Sequence, residues 1–290
     1  MNTRDLQYLV ALSDHRHFGK AADACFVSQP ALSMQIKKLE ETLGVTLIER
    51  NNKSVMLTDA GIAITEQARH ILNQIEEMRD FAKLTKDPLS GELKIGIIPT
   101  LAPYLLPLII PPLAKEFPKI SFFLIEEQTA TLIEKLKAGK LDAAFLAHPV
   151  LETSFSSSLL FTEEFLLAVP ITHPLAKRKT IMQNDLIDQN VLLLDEGHCM
   201  REQTLSFCHK RKASETQNFR ATSLETLRHM VAAGNGITLI PKLAKLPNSH
   251  IAYIPFSAPK PTRSIGLYWR ASSAKSTLLE KMATKIKKIC

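Results

Sequence analysis

The sequence lacks any apolar run that approaches the ~20 residues a helix needs to cross a bilayer. Its first residues, Met-Asn-Thr-Arg-Asp, also lack the apolar core of a secretory signal. These two absences argue against a membrane partner and predict a cytoplasmic protein. The 290 residues are enough for two or three domains with full cores.

Cysteine is scarce as well, with four residues in the whole chain. Cys25 and Cys290 have no cysteine or histidine nearby in a pattern typical of zinc ligands, so we expect no metal site. No cofactor is predicted either. Because cytosolic thiols are normally reduced, a disulfide in this protein would be transient and linked to redox chemistry.

The formal net charge of +7 is compatible with a polyanionic partner. Its distribution does not single out one region, because residues 1–60 hold seven Lys or Arg and seven Asp or Glu. Charge alone therefore does not locate a nucleic-acid surface.

The other two cysteines lie in one stretch, residues 195–208, which reads Asp-Glu-Gly-His-Cys-Met-Arg-Glu-Gln-Thr-Leu-Ser-Phe-Cys. Cys199 lies between His198 and Arg201, and a thiol beside cationic groups loses its proton more easily. Residues 200–207 are typical of a short helix, whose N-terminus would further favour a thiolate. This pattern predicts a reactive cysteine.

The spacing of Cys199 and Cys208 adds a second argument. On one continuous helix, residues nine apart would lie about 13 Å apart along the axis. A disulfide needs Cα atoms within roughly 7 Å, so a bond between them would require local refolding. The alternative is that the two cysteines are unrelated and that one is a buried, inert core residue.

Residues 1–58 have the pattern of a compact helical unit. Ser28 is a good N-cap for a helix that Gly44 would end, and Leu32, Ile36 and Leu39 recur on its inward face. An Ala-rich helix, residues 18–24, precedes it, which is the layout of a helix-turn-helix. The side chains that this layout offers to DNA are Ser28, Gln29, Pro30, Ser33, Met34, Gln35, Lys37 and Lys38. The alternative is a solvated helix face in an unrelated bundle.

Residues 47–57, with Arg50 and Lys53 near the centre, are typical of a hairpin wing that would lie beside a duplex. Thr58 would then cap a long helix that runs to about Lys86. Its apolar residues alternate by four and three, which is the seam of a coiled coil: Ile64, Ala68, Ile71, Ile75, Met78 and Ala82. The seam either pairs two chains or packs on its own domain.

A cluster of turn-forming residues, Asp87, Pro88, Ser90 and Gly91, predicts a domain boundary. From residue 92 the pattern alternates between strands and helices, beginning with a strand at 93–98, a helix at 101–117 and a strand at 120–125. Later elements follow the same alternation: strands at 141–147, 165–169, 191–194, 237–241 and 265–269, and helices at 129–138, at 223–233 and from Ser276. This alternation predicts an α/β fold with a mainly parallel sheet.

Residues 18–44, together with Leu47-Ile48-Glu49-Arg50 and Leu57-Thr58-Asp59-Ala60-Gly61, resemble the winged helix-turn-helix of LysR-type transcriptional regulators. The resemblance implies a winged helix-turn-helix at 1–58, a linker helix at 59–87 that joins two chains, and an effector domain at 92–290. That domain would be two-lobed and similar to periplasmic binding proteins. Lobe I would comprise about 92–162 and 269–290, and lobe II about 163–268. The chain would cross between the lobes near 162–165 and 265–269, with a sensing cleft between them.

Within this family, residues 195–208, 219–228, 230–241, 96–100 and 103–107 resemble the peroxide-sensing members. The resemblance implies that Cys199 is oxidised first, to a sulfenic acid, and that Cys208 closes a disulfide. It also implies a set of residues that bind hydrogen peroxide: Thr100, Thr129, His198, Glu202 and Arg263. At one of these positions the chain departs from the pattern, since Glu202 stands where the family usually has aspartate.

The expected function is therefore a DNA-binding regulator, not an enzyme, that responds to hydrogen peroxide. The resemblance also implies a homotetramer that binds double-stranded DNA and could contact RNA polymerase. Two alternatives remain: a LysR-type regulator that senses a small metabolite in the cleft, and a thiol peroxidase. The second has little use for residues 1–86.

Overall fold

The computed structural model describes residues 1–51, 54–84, 89–208 and 214–290 of the chain. The chain divides into two units, Met1–Lys86 and Asp87–Cys290. Within the described ranges, every helix is too short or too polar to span a bilayer. The predicted boundary residues Asp87 and Pro88 lie outside these ranges.

The described residues of the first unit form four helices and a hairpin. They are α1 (Thr3–His15), α2 (Phe18–Ala24), α3 (Gln29–Leu43), β1 (Ile48–Asn51), β2 (Ser54–Leu57) and α4 (Asp59–Leu84). As expected, Ser28 Oγ caps α3 by accepting from the Ala31 amide at 3.4 Å. Gly44 ends α3 with a left-handed φ of 70°, which glycine adopts without steric cost. The residues that pack α3 into the core are Leu32, Ile36 and Leu39.

The hairpin is attached to α3 by one carboxylate. Glu40 Oε1 accepts from the backbone amides of Leu47 at 2.7 Å and Ile48 at 3.1 Å. Gly61 in the first turn of α4 then lies against Leu47, whose carbonyl oxygen would be 2.1 Å from a Cβ at position 61. These contacts fix the hairpin beside α3.

The second unit contains five helices and nine strands among its described residues. Its helices are α5 (Ala102–Glu116), α6 (Thr129–Lys137), α7 (Cys199–Cys208), α8 (Leu224–Ala232) and α9 (Ser276–Lys287). Its strands are β3 (Gly91–Ile97), β4 (Ile120–Glu126), β5 (Ala143–His148), β6 (Phe155–Pro170), β7 (Asn190–Leu194), β8 (Ser214–Ala221), β9 (Thr238–Pro241), β10 (Ile251–Pro255) and β11 (Thr262–Arg270). We did not predict β8 or β10.

The main sheet is mixed, so the prediction of a mainly parallel sheet is wrong. Its order is β10-β6-β11-β5-β3-β4, with β9 also paired to β6. Among the described residues of this sheet, only β3 pairs in parallel, with β4 and β5, whereas β6 and β11 are antiparallel to all their partners. A separate two-stranded sheet pairs β7 and β8 in parallel. The reason is that β6 and β11 run in opposite directions between the two halves of the unit.

The two halves have separate apolar cores, which we call lobe I and lobe II. Lobe I is built around Leu93–Leu146 and the final helix, and lobe II around the residues from Phe165 to Phe256. The 16-residue strand β6 contributes Leu160 to lobe I and Phe165 to lobe II, so it crosses near residues 161–164. On β11, Ile265 already packs in lobe I. The return therefore falls at about 262–264, just before the expected 265–269, because β11 pairs with β6 at the crossing.

Candidate functional site

The two crossing strands place an acidic residue and a basic residue directly opposite each other. Glu163 on β6 faces Arg263 on β11, and Arg263 Nε donates to Glu163 Oε1 at 2.8 Å. Glu163 is 8% exposed and Arg263 is 2% exposed. Glu163 Oε2 also accepts from the Leu243 amide at 2.7 Å. The guanidinium is thus held in one orientation between the lobes.

The other two nitrogens of this guanidinium are directed at the loop after β3. Arg263 Nη1 donates to Thr100 Oγ1 at 3.0 Å, and Nη2 donates to the Thr100 carbonyl at 3.2 Å. Thr100 is 2% exposed and follows the carboxyl end of β3, where ligands usually bind in open α/β sheets. Because its hydroxyl oxygen accepts from Arg263, the Thr100 hydrogen is left for another acceptor.

Cys199 opens α7 and packs against the lobe I core, although α7 follows a lobe II strand. The loop before it makes a close approach to α6. Gly197 has a φ of +86°, and a Cβ there would lie 2.4 Å from Gln128 Oε1. Gln128 Nε2 also donates to the Glu196 carbonyl at 3.4 Å. A glycine at 197 is therefore what lets the loop bring Cys199 against lobe I.

Thr129, the first residue of α6, faces the thiol. Its Oγ1 is buried and makes no well-formed hydrogen bond within the described part of the chain. The hydroxyl nevertheless lies close enough to the Cys199 sulfur to lower the pKa of that thiol. Such an unsatisfied donor beside a sulfur can stabilise a thiolate or hold a small polar ligand.

The net effect of the surroundings on Cys199 is opposite to the one expected from the sequence. Burial raises the pKa of the Cys199 thiol above its usual 9.0, and this outweighs the lowering by the Arg263 charge, Thr129 and the amides at the helix start. The prediction of a low pKa set by His198 and Arg201 is therefore wrong for this conformation. Arg201 is buried and donates to the Leu194 carbonyl at 3.0 Å, so Arg263 is the cation that acts on the thiol.

His198 lies directly before the thiol and is 6% exposed. Burial lowers the pKa of its imidazole, and the opposing effect of the Asp195 carboxylate is smaller. The ring is therefore neutral at pH 7, and it can donate or accept one proton but does not supply a positive charge.

Four of the predicted site residues thus meet at one place: Thr100, Thr129, Cys199 and Arg263. Glu202 is exposed on the first turn of α7. The side chain of Cys208 lies outside the described residues, although its backbone ends α7. Among the described side chains, no group of three His, Cys, Asp or Glu could hold a metal.

We did not predict Glu163 or Gln128 as part of the site. Glu163 is 100 residues from Arg263 along the chain, and only the register of β6 and β11 brings them together. The expected lobe crossing at 162–165 was a signal for Glu163, because a carboxylate at a crossing must find a partner there. Gln128 had no comparable signal.

The exposed face of α3 is a second candidate surface. Two of the predicted residues, Ser33 and Gln35, are half-buried. The other six are exposed: Ser28, Gln29, Pro30, Met34, Lys37 and Lys38. Lys37 is 3.9 Å from Glu41 in an exposed pair. The side chain of Arg50 and the whole of Lys53 lie outside the described residues. Small, amide and basic groups on a helix beside a hairpin suit the major groove and adjoining phosphates.

The seam on α4 changes character along the helix. Ile64 and Ala68 pack with the core of the first unit, whereas Ile71 is 40% exposed and Met78 is 66% exposed. The first part of the seam thus packs on its own domain. The second part presents apolar side chains that a second helix could cover.

Two family descriptions match the chain. Residues 3–62 match "Bacterial regulatory helix-turn-helix protein, lysR family". Residues 86–288 match "LysR substrate binding domain". Together they account for both units.

The DNA-binding transcriptional dual regulator OxyR of Escherichia coli is 47% identical to this chain over 290 residues, which are 99% of this chain and 95% of that protein. Full-length OxyR from Pseudomonas aeruginosa, solved as a cysteine-to-aspartate variant, has a TM-score of 0.78 and 38% identity, covering 99% of this chain and 95% of that one. A Corynebacterium glutamicum OxyR cysteine-to-serine mutant with hydrogen peroxide bound has a TM-score of 0.68 and 33% identity, covering 99% and 92%. The chain belongs to the LysR family of bacterial regulatory helix-turn-helix proteins.

Proposed function

We propose that this chain is a transcriptional regulator that senses hydrogen peroxide by oxidation of Cys199 and closure of a Cys199–Cys208 disulfide. The observation that carries the proposal is the cluster at Cys199. The half-buried Cys199 thiol faces the Thr129 hydroxyl, which makes no well-formed hydrogen bond within the described part of the chain, and a guanidinium that is fixed on Thr100. The solved relative with hydrogen peroxide bound supports the choice of ligand.

In the first step the Cys199 thiolate attacks one peroxide oxygen. The S–O bond forms as the O–O bond breaks, and the proton lost by the thiol goes to the departing hydroxide, which leaves as water. Arg263 stabilises the negative charge, and the hydroxyls of Thr100 and Thr129 hold the peroxide and pass the proton. His198 directly precedes Cys199 in the chain, and its role in peroxide binding stays a prediction from the resemblance. Glu202 is exposed, and its role in peroxide binding stays a prediction from the resemblance.

In the second step the Cys208 thiol attacks the sulfenic sulfur of Cys199, and water leaves with the proton of the thiol. Both cysteines are in α7, and ends nine residues apart lie about 13 Å from each other on a helix. Since a disulfide needs Cα atoms within roughly 7 Å, α7 must unwind. We infer that this unwinding converts oxidation into a change of shape.

On DNA, α3 would enter the major groove of a double-stranded site, with Lys37 and Lys38 on phosphates and the hairpin residues Arg50 and Lys53 beside the duplex. The exposed part of the α4 seam would pair two chains. We propose a homotetramer in the cytoplasm in which oxidation changes the spacing of the DNA contacts, with RNA polymerase as a further partner.

The test is a thiol count with peptide mapping before and after stoichiometric peroxide, combined with DNA footprinting on a bound site. We expect a Cys199–Cys208 disulfide that dithiol reverses, together with a changed footprint, and neither in Cys199→Ser. A DNA footprint that does not change when peroxide is added would contradict the proposal and favour a metabolite sensor. Continuous peroxide consumption at enzyme-like rates with a reductant would favour a thiol peroxidase.

A further inference from the structure

The last turn of α7 is held by a side chain from outside the helix. The Gln183 side-chain amide donates to the Phe207 backbone carbonyl. The last four carbonyls of a helix have no partner within it, so a donor at this position stabilises the final turn. Phe207 is the residue directly before Cys208. Gln183 therefore acts on the end of α7 that carries the second cysteine.

Gln183 itself is fixed to the body of lobe II. It begins a short 3-10 turn, Gln183–Leu186, in which Asp185 Oδ2 accepts from the Met182 amide at 2.8 Å. Asp185 Oδ1 in turn accepts from Arg178 Nη1 at 2.7 Å. Ile181, two residues before Gln183, is bridged to Phe256. The Gln183 side-chain amide therefore contacts α7 from a turn of lobe II that lies outside the helix.

The two ends of α7 are anchored differently. Met200, Arg201 and Thr204 are buried at 2%, 7% and 2% exposure, so the first half is packed into lobe II. Phe207 is only half-buried and meets the edge of Phe256, with ring centroids 5.1 Å apart. When the disulfide closes, the less buried end is the one that leaves. The Gln183 bond to the Phe207 carbonyl must break in that motion.

We propose that Gln183 is a positioning residue that slows the approach of Cys208 to Cys199 by holding the last turn of α7. This inference rests on the proposed redox function. It concerns only the step in which the Cys208 thiol displaces water from the Cys199 sulfenic acid, and it leaves the first oxidation unchanged. Gln183 thereby sets how long the sulfenic acid persists before the disulfide forms.

The experiment uses the full chain and three variants. Gln183→Leu keeps the size of the side chain and removes the donor, and Gln183→Glu places a carboxylate against the carbonyl. Asn184→Leu is the matched control, because Asn184 is the exposed neighbour on the same turn. We would measure sulfenic acid formation by chemical trapping in a Cys208→Ser background, disulfide closure by quenched peptide mapping, and amide hydrogen exchange in residues 205–208 of the reduced protein.

For Gln183→Leu we expect closure and amide exchange to be about three- to tenfold faster, the range that one hydrogen bond to a backbone group contributes. In Gln183→Glu both rates should rise further, because a carboxylate repels the carbonyl. In Asn184→Leu both rates should equal those of the unmodified chain. The rate of sulfenic acid formation, measured by trapping, should be the same in all variants. A general loss of structure would change that rate as well. Unchanged closure and exchange in Gln183→Leu would overturn the inference.

The two proposals fail separately. If peroxide does not oxidise Cys199, the proposed function fails, and the role of Gln183 is still decided by amide exchange and by closure driven with oxidised glutathione. If peroxide forms the disulfide at the same rate in all variants, only the role of Gln183 is lost.

Discussion

Glu163 and Arg263 face each other across β6 and β11 with a 2.8 Å hydrogen bond, at the point where both strands pass between the lobes. The neighbouring carboxylate, Glu164, instead pairs with Lys260 at the surface, with 35% of its side chain exposed. The two adjacent carboxylates can therefore be compared directly: Glu163 is buried beside the guanidinium of the thiol site, whereas Glu164 is partly exposed at the surface.

Glu163→Gln should destabilise the fold by about 3 kcal/mol, because it leaves the buried Arg263 charge without a counter-charge. Glu164→Gln should cost at most about 1 kcal/mol. In Glu163→Gln the Arg263 guanidinium has no counter-charge, so it should also lower the pKa of Cys199 and speed the reaction of this thiol with peroxide at pH 7. Urea unfolding and ultraviolet titration of the thiolate measure the two effects. Equal behaviour of the two variants would contradict this account.

The rate at which Cys199 reacts with peroxide should depend on pH with a definite sign. Because burial raises the pKa of the thiol above 9.0, the protein at pH 7 holds mainly the unreactive thiol. The rate should therefore climb with pH through neutrality, and Thr129→Val should shift the profile to higher pH by removing a group that lowers the thiol pKa. Stability should be unchanged or slightly higher in Thr129→Val, since the lost hydroxyl has no well-formed partner among the described residues.

The control for this profile is Thr131→Val, two residues further along α6 and half-buried. We expect this variant to have the same pH dependence of Cys199 oxidation as the unmodified chain. A Thr129→Val profile that coincides with that of Thr131→Val would mean that the Thr129 hydroxyl does not act on the sulfur.

Two glycines separate the cost of backbone strain from the effect on the site. Gly197 and Gly234 have nearly the same φ, +86° and +84°, but a Cβ at 197 would meet Gln128 whereas one at 234 has nothing within 4 Å. Alanine at either position should cost about 1–2 kcal/mol through the left-handed conformation. Only Gly197→Ala should also push the loop off α6 and change the rate of Cys199 oxidation. Peroxide kinetics that agree in the two variants would refute a positioning role for Gly197.

The local elements of the first unit were predictable because their signals are local. Ser28 and Gly44 mark the ends of α3 in the sequence and cap it in the structure. The same holds for Thr58, which donates to the Thr46 carbonyl at 2.7 Å and accepts from the Gly61 amide at 2.9 Å. Short-range hydrogen bonds of this kind need only the neighbouring residues, so the sequence contains them.

Four residues predicted from the sequence meet in the structure, Thr100, Thr129, Cys199 and Arg263, but the electrostatics around the thiol were not predictable. The adjacency of His198 and Arg201 to Cys199 indicated a thiolate, yet Arg201 turns to the Leu194 carbonyl and the cation that acts is Arg263, 64 positions later. Which cation faces a thiol depends on the crossing of β6 and β11. That crossing depends on strand register, which a single sequence does not specify.

The surface of α3 allows a prediction on DNA binding. Lys37 is exposed, and its pair with Glu41 has a 3.9 Å separation and side chains that are 67% and 65% exposed, so the pair contributes little to stability. Lys37→Ala should therefore leave unfolding within about 0.5 kcal/mol of the unmodified chain. If Lys37 contacts a phosphate, the variant should bind DNA more weakly whatever the sequence. The slope of log affinity against log salt should fall in magnitude by about 1.

The control is Lys94→Ala in the second unit, where Lys94 is half-exposed and pairs with Glu92. It removes the same charge from the chain without touching α3, so its salt slope should equal that of the unmodified protein. Met34→Ala adds a further distinction, because Met34 is 62% exposed on the face that would meet base edges. Its effect should depend on the DNA sequence while its salt slope stays the same. A salt slope that falls equally in Lys37→Ala and Lys94→Ala would indicate a general effect of net charge and would exclude a phosphate contact at Lys37.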